Sequence, residues 1–206
     1  MKISKTIKLA TLALTIGLTT SSFAQDATME MKKDKKMMKK EKKMMETKMV
    51  GGAEMYPNKN IIENAVNSKD HTTLVAAVKA AGLVETLEGE GPFTVFAPTN
   101  AAFDKLPDGT VKTLLMPENK AKLQSVLTYH VVAGKVSAMD LMKMIKDGKG
   151  KAELTTVNGG KLTAILKGKK IQLKDASGNI STVTIANVNQ SNGVIHVVDT
   201  VVLPGM

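Results

Sequence analysis

Gly91-Pro92-Phe93-Thr94-Val95-Phe96-Ala97-Pro98-Thr99-Asn100, running on into Ala101, Ala102 and Phe103, describes a strand that has to stop, turn and start a helix. Residues 93–97 are apolar apart from Thr94, and β-branched and aromatic side chains suit a buried strand. Pro98 cannot donate to a ladder and so ends it. Thr99 then offers a side-chain oxygen to the free amides of a first helical turn, which predicts a helix carrying Ala102, Phe103 and Leu106.

Upstream of this stretch the pattern is helical. Ile61, Ile62, Ala65 and Val66 share one face of a short amphipathic segment. Asp70 or Thr72 is placed to cap a second helix through Leu74, Val75, Val78 and Ala81, which Gly82 stops. Downstream, 108–115 reads as a further helical piece. Pro117 and Glu118 suit the start of a helix that carries Leu123, Val126 and Leu127. Ser137 caps another, with Leu141, Met142 and Ile145 on its apolar side.

Beyond residue 150 the period changes to two. Asn158-Gly159 is a hairpin signal, since both turn positions favour positive φ, and it joins 153–157 to 161–166. Gly168 and Ser177-Gly178-Asn179 mark the next two turns, flanking Ile171, Leu173 and the alternating Val183 and Ile185. The run 193–203 is rich in β-branched residues, reads as a buried strand, and is closed by Pro204. Helices first and an antiparallel meander afterwards indicate an α+β fold, not a doubly wound parallel sheet.

The N-terminus has a different character. Lys2, Lys5 and Lys8 precede an apolar run of about ten residues and the small-residue exit Ser22-Phe23-Ala24. These are the parts of a secretory signal occupying 1–24, with cleavage between Ala24 and Gln25. The run is far shorter than the roughly 20 residues of a membrane span. There is no cysteine, which removes disulfides, thiol chemistry, Cys-based zinc sites and the lipid-modified cysteine of a lipoprotein. A protein soluble in the periplasm or outside the cell is expected.

Residues 25–59 form a Met/Lys-rich, low-complexity tail, expected to be disordered or partly helical. Met31, Met38 and Met45 repeat every seven residues, as do Met37 and Met44. Thioether sulfur is soft and uncharged, so Met37, Met38, Met44 and Met45 are candidate ligands for Cu(I) or Ag(I). The competing reading is a solvated linker whose lysines are drawn to anionic surfaces. Residues 60–206 make one folded domain.

The formal charge is +10, but residues 61–206 hold sixteen Lys against thirteen Asp and Glu, so most of the excess is N-terminal. All 29 basic residues are Lys, which is unlike nucleic-acid readers that rely on bidentate Arg. Nucleic acid is therefore not an expected partner. No nucleophile elbow, zinc-binding HExxH or phosphate-binding loop occurs. Gly89-Glu90-Gly91 leads into a strand, whereas a dinucleotide loop follows a strand and opens a helix. His71, His130 and His196 fall at no familiar ligand spacing, with His130 and His196 inside apolar, strand-like runs. No enzyme activity and no cofactor are expected.

Three segments in order resemble the fasciclin-type domain. They are the opening stretch, then Thr128-Tyr129-His130-Val131-Val132, then Asn192-Gly193-Val194-Ile195-His196-Val197-Val198-Asp199 running on to Val202-Leu203-Pro204. Asn60-Ile61-Ile62 and Thr72-Thr73-Leu74 agree as well. The resemblance implies a wedge of two β-sheets with short helices packed around it. It also implies adhesion, by binding a cell-surface or matrix protein or a glycan. Adhesive roles in the family attach to the Tyr-His segment, here Tyr129 and His130, and to an Asp-Ile pair before the last signature. That pair falls on Asn187 and Val188, so the carboxylate is absent and a contact to a receptor-bound cation loses its charge. The apolar neighbours of Tyr129 and His130 equally suit core packing.

Overall fold

The computed structural model describes residues 46–205, so the signal segment, its cleavage point and Met37, Met38, Met44 and Met45 lie outside the described residues. Order begins well before Asn60. Strands β1 (Lys48–Val50) and β2 (Ala53–Met55) pair across Gly51 and Gly52, whose φ values of +58° and +76° close the turn. Val50 and Met55 are buried in the core with Ile61, Leu74 and Ile195. The tail expected through residue 59 thus gives way to a hairpin by Lys48. Two inward apolar side chains anchor it, with the Lys69 amide donating to the Gly51 carbonyl at 3.0 Å and Lys48 Nζ to the Ala186 carbonyl at 2.6 Å, and the glycines that read as a break are its turn.

The helical half follows the apolar spacing. Helix α1 (Ile61–Ala65) starts at Asn60 with a reciprocal cap: Asn60 accepts from the Glu63 amide and Glu63 accepts from the Asn60 amide. A 3₁₀ turn, Lys69–His71, leads into α2 (Thr72–Ala81), which ends at Gly82 with φ +71°. Neither Asp70 nor Thr72 caps α2. Asn100 does so from a distance, its Oδ1 accepting from the Thr73 amide at 3.0 Å and its Nδ2 donating to the Lys69 carbonyl at 2.9 Å. Helix α3 (Val84–Glu88) precedes β3 (Phe93–Pro98), in which the polar Thr94 is buried but satisfied. Its hydroxyl donates to the Gly134 carbonyl at 2.6 Å and accepts from the Val136 amide at 2.8 Å. Thr99 caps α4 (Asn100–Phe103) as its position predicts. Then come α5 (Thr110–Leu114), the 3₁₀ turn Pro117–Asn119, α6 (Lys120–Tyr129), β4 (Val131–Ala133) and α7 (Ala138–Asp147). Ser137 caps α7 in a box with Asp140.

The meander supplies β5 (Lys151–Thr155), β6 (Lys161–Lys167), β7 (Lys170–Lys174) and β8 (Ile180–Gln190), followed by β9 (Gly193–Val198). In the turn between β5 and β6 only Gly159 takes positive φ, at +86°. Asn158 instead accepts from the Gly160 amide with its side chain at 2.9 Å, so the turn is made by an Asn side-chain bond.

The strands order as β4-β3-β9-β8-β7-β6-β5, antiparallel except for β3 beside β9. Strand β8 belongs to both halves. Ile180 to Thr182 pair with β7, and the rest pairs with β9 through register shifts after Val183 and Ile185. Such irregularities increase the local twist of a strand, here where β8 passes from β7 to β9. A bridge between Val132 and Thr156, with the Val157 amide on the Val131 carbonyl at 2.7 Å, brings the outer strands together in a nearly barrel-like closure.

Strands β3 and β9 run between two cores. Val95, Ala97, Ile195 and Val197 face α1, α2, α6 and the β1–β2 hairpin. Phe96 and Val198 face the other way, toward Leu141, Leu154, Leu162 and Leu173. Burial on both faces explains why both strands read as nearly continuous apolar runs.

Candidate functional site

The Tyr-His segment sits at the end of α6, not in a strand. His130 is the residue that ends the helix, and its amide donates to the Leu127 carbonyl. Both side chains turn inward, Tyr129 at 0 % and His130 at 2 % exposure. The Tyr129 hydroxyl donates to the Lys161 carbonyl at 2.6 Å and accepts from the Ala176 amide at 3.1 Å. Burial raises its pKa.

His130 has both ring nitrogens engaged. Nε2 accepts from the Val202 amide at 3.1 Å, so the proton of the neutral ring is on Nδ1, which donates to the Val126 carbonyl at 2.8 Å. Burial pushes its pKa down to about 4, against the opposing pull of the Val126 carbonyl and the Asp175 carboxylate. Asp175 is itself buried and accepts from the Leu203 amide at 3.0 Å and the Asn179 amide at 2.8 Å. Together these groups clasp the C-terminal segment onto the end of α6 and the turn after β7. Nothing local in the sequence marks Asp175 for this role; it sits beside a glycine turn and reads as a solvated loop residue.

Asn187 and Val188 lie at the second irregularity of β8. Val188 is a core residue, 1 % exposed. Asn187 has φ +57°, a left-handed conformation that Asn tolerates better than most residues. Its Oδ1 accepts from the Ala138 amide at 2.7 Å, covering a free donor in the first turn of α7. Its own amide approaches His196 Nδ1 at 3.4 Å, while His196 Nε2 donates to the Val136 carbonyl at 2.9 Å. The His196 ring stacks on Phe96, with centroids 5.6 Å apart. Phe96 also donates its amide to the His130 carbonyl at 2.9 Å. Tyr129–His130 and Asn187–Val188 are therefore linked through Phe96 inside the fold, and do not form one surface patch.

The third histidine, His71, shares a 2.9 Å bond with Ser68 through Nδ1, while its buried Nε2 has no partner. Burial lowers its pKa; the nearby Ala97 carbonyl draws it the other way but falls short of a hydrogen bond. It borders an apolar interior cavity of about 60 Å³ among Leu74, Val95, Leu127 and Ile195. No three His, Asp or Glu side chains converge to hold a metal among the described residues.

The first and last signature segments lock onto each other. A Cβ on Gly193 would stand 2.1 Å from the Phe93 carbonyl oxygen, and one on Gly91 would stand 2.0 Å from that of Asn192. The Asn192 side chain accepts from the Ile61 amide at 3.1 Å and donates to the Leu87 carbonyl at 2.7 Å, tying α1 and α3 to the start of β9. The fasciclin-domain family model matches residues 69–204. The chain belongs to the fasciclin-domain family. Its fasciclin domain is 51 % identical over 146 residues to protein sll1483 of Synechocystis, covering 71 % of this chain and 74 % of that one. It is 36 % identical over 146 residues to the cell surface glycolipoprotein MPB83 of Mycobacterium bovis, covering 68 % of this chain and 58 % of the relative. The fold matches the fasciclin domain pair of the insect cell adhesion molecule fasciclin I with a TM-score of 0.64 at 19 % identity, covering 72 % of this chain and 52 % of that one. No helix among the described residues is long and apolar enough to cross a membrane.

Proposed function

We propose that the chain is an exported, non-catalytic adhesion module that grips a cell-surface or matrix protein, or a glycan, with the outer surface of its fasciclin domain. Family membership joined to the inward use of the signature residues supports this reading. A general base must reach a substrate proton within about 3 Å. His130 and His196 bond the backbone through ring nitrogens that are shut away from solvent. The lysine-led apolar segment and small-residue exit at residues 1–24 support export.

A single domain offers about 800 Å² to one partner, the ordinary size for one side of an interface. Firm adhesion then comes from many copies on one surface, where avidity multiplies a weak contact. Binding of the mature protein, residues 25–206, to cells, matrix proteins and glycans tests this. Retention above that of the tail peptide 25–45 alone is expected; equal retention would remove the adhesion reading.

A further inference from the structure

We propose that the outward face of β5, β6 and β7 is the docking surface for an acidic polysaccharide. This rests on the adhesion reading and assigns it a site and a ligand class.

The observation is a separation of charge within the folded domain. Residues 149–174, the strands and their turns, hold seven lysines and one carboxylate, Glu153. The remainder of 61–206 holds nine lysines against twelve Asp and Glu. Strand alternation sends Ala152, Leu154, Leu162, Ala164, Ile171 and Leu173 to the core, which leaves Lys151, Lys161, Lys167, Lys170 and Lys174 on the opposite, exposed face. Lys149, just before β5, and Lys169, in the β6–β7 turn, lie at the end of the sheet that carries Lys151, Lys167 and Lys170.

Little offsets these charges. Lys161 pairs with Glu153 at 2.9 Å, and this is the one ion pair among the described residues. Lys167 stands directly across from Lys170 in the ladder. Like charges facing each other across strands are unfavourable for stability, so packing gives no reason for the arrangement. Lysines on an edge strand guard against unwanted pairing, and that accounts for Lys151 on β5. It does not account for those on β6 and β7, which are flanked by strands on both sides.

Charge complementarity selects the partner. Lysine is a point charge on a flexible stem, suited to a diffuse polyanion more than to one planar anion. Between the lysines lie half-buried Thr163, Gln172 and Thr182; Gln172 Nε2 donates to Thr182 Oγ1 at 3.2 Å, and their remaining donors and acceptors face sugar hydroxyls. Lys151, Ile165, Gln172 and Thr182 occupy one cross-strand row, and Glu153, Thr163, Lys174 and Ile180 the next, where Glu153 is taken up by Lys161. A linear polymer bearing carboxylates or sulfates can lie across such rows; a bilayer would have no use for the neutral groups.

The test uses mature protein, its Lys151→Glu/Lys167→Glu/Lys170→Glu variant, and a control, Lys112→Glu/Lys122→Glu/Lys135→Glu, with the same change in net charge. Each is passed over immobilised polygalacturonate, dextran sulfate and uncharged dextran, and mixed with phosphatidylglycerol vesicles. Every protein carries the same basic tail, so differences report the domain. The expected result is salt-sensitive retention on both polyanions, weakened about tenfold or more by the first triple and little by the control. Equal loss in both triples would show net charge alone at work and overturn the proposal. So would an effect confined to vesicles, or to salt-dependent self-association. Unchanged thermal melting, and the milder Lys→Gln triple, guard against a folding artefact. If mature protein adheres to cells or matrix and the first triple adheres equally, the face is wrong and the adhesion reading stands. If mature protein adheres to nothing, the adhesion reading itself falls.

Discussion

The Val202 amide donates to His130 Nε2 at 3.1 Å, joining the end of α6 to the C-terminal segment across 72 positions of the chain. The bond needs a neutral ring, because a second ring proton would face the Val202 N–H. His130 takes a proton near pH 4 in the folded protein and near 6.5 once unfolded. Between those values the unfolded chain binds a proton that the folded chain refuses, so stability falls as pH falls from 6.5 to 4. It is unaffected by this residue above that window. The loss from His130 is about 3 kcal/mol across the window. Burial lowers the pKa of His71 and His196 too, adding loss of the same sign. Urea midpoints should drop steadily from pH 7 to 4.5; a flat midpoint would contradict the buried neutral ring.

The β1–β2 hairpin is part of the folded domain. Met55 is 3 % exposed and Met49 59 %. Met55→Ala should cost about 2–4 kcal/mol and Met49→Ala less than ~0.5. Denaturant unfolding of both variants checks this, and equal small effects would mean that the hairpin does not contribute to the core.

Gly193 permits the parallel contact of β9 with β3. Gly193→Ala puts a methyl group against the Phe93 carbonyl, 2.1 Å from its oxygen. Backbone has to move, at about 3 kcal/mol. A thermal melt unchanged from that of the parent would show that the two signature segments do not pack this closely.

Asn187 acts through shape and one acceptor. Asn187→Ala removes the bond to the Ala138 amide and leaves a Cβ-bearing residue at φ +57°, for a loss of about 2 kcal/mol. Asn187→Asp keeps an acceptor at the helix N-terminus and should stay within about 0.5 kcal/mol of the parent. Chemical denaturation of the pair separates this local role from a requirement for a neutral side chain.

What was legible in the sequence was local. Thr99 and Ser137 cap the helices they precede, Gly82 ends α2, and Gly168 and Gly178 turn the meander with positive φ. Each depends on a few neighbouring residues. The parallel pairing of β3 with β9 joins segments about a hundred residues apart, and no periodicity encodes which buried strand lies beside which. The hairpin was hidden because only Val50 and Met55 mark its inner side amid a charged, Met-rich stretch. The cap of α2 by Asn100, and the hold of Asp175 on Leu203, are polar contacts between distant segments that residue type alone does not reveal. The Tyr-His segment was visible as a motif, but its inward direction is set by where α6 ends.

In the proposed adhesion function the Tyr-His segment holds the fasciclin fold together and the outer surface makes the contact. Tyr129→Phe tests it with the loss of one oxygen, which removes the bonds to Lys161 and Ala176 and costs about 1–3 kcal/mol of stability. Adherence of this variant to the cells, matrix proteins and glycans that retain the parent should be measured at a temperature where both are fully folded. Equal adherence with a lowered melting temperature is the predicted result. Lost adherence with the fold intact would place Tyr129 in the contact itself and rule out a purely structural role.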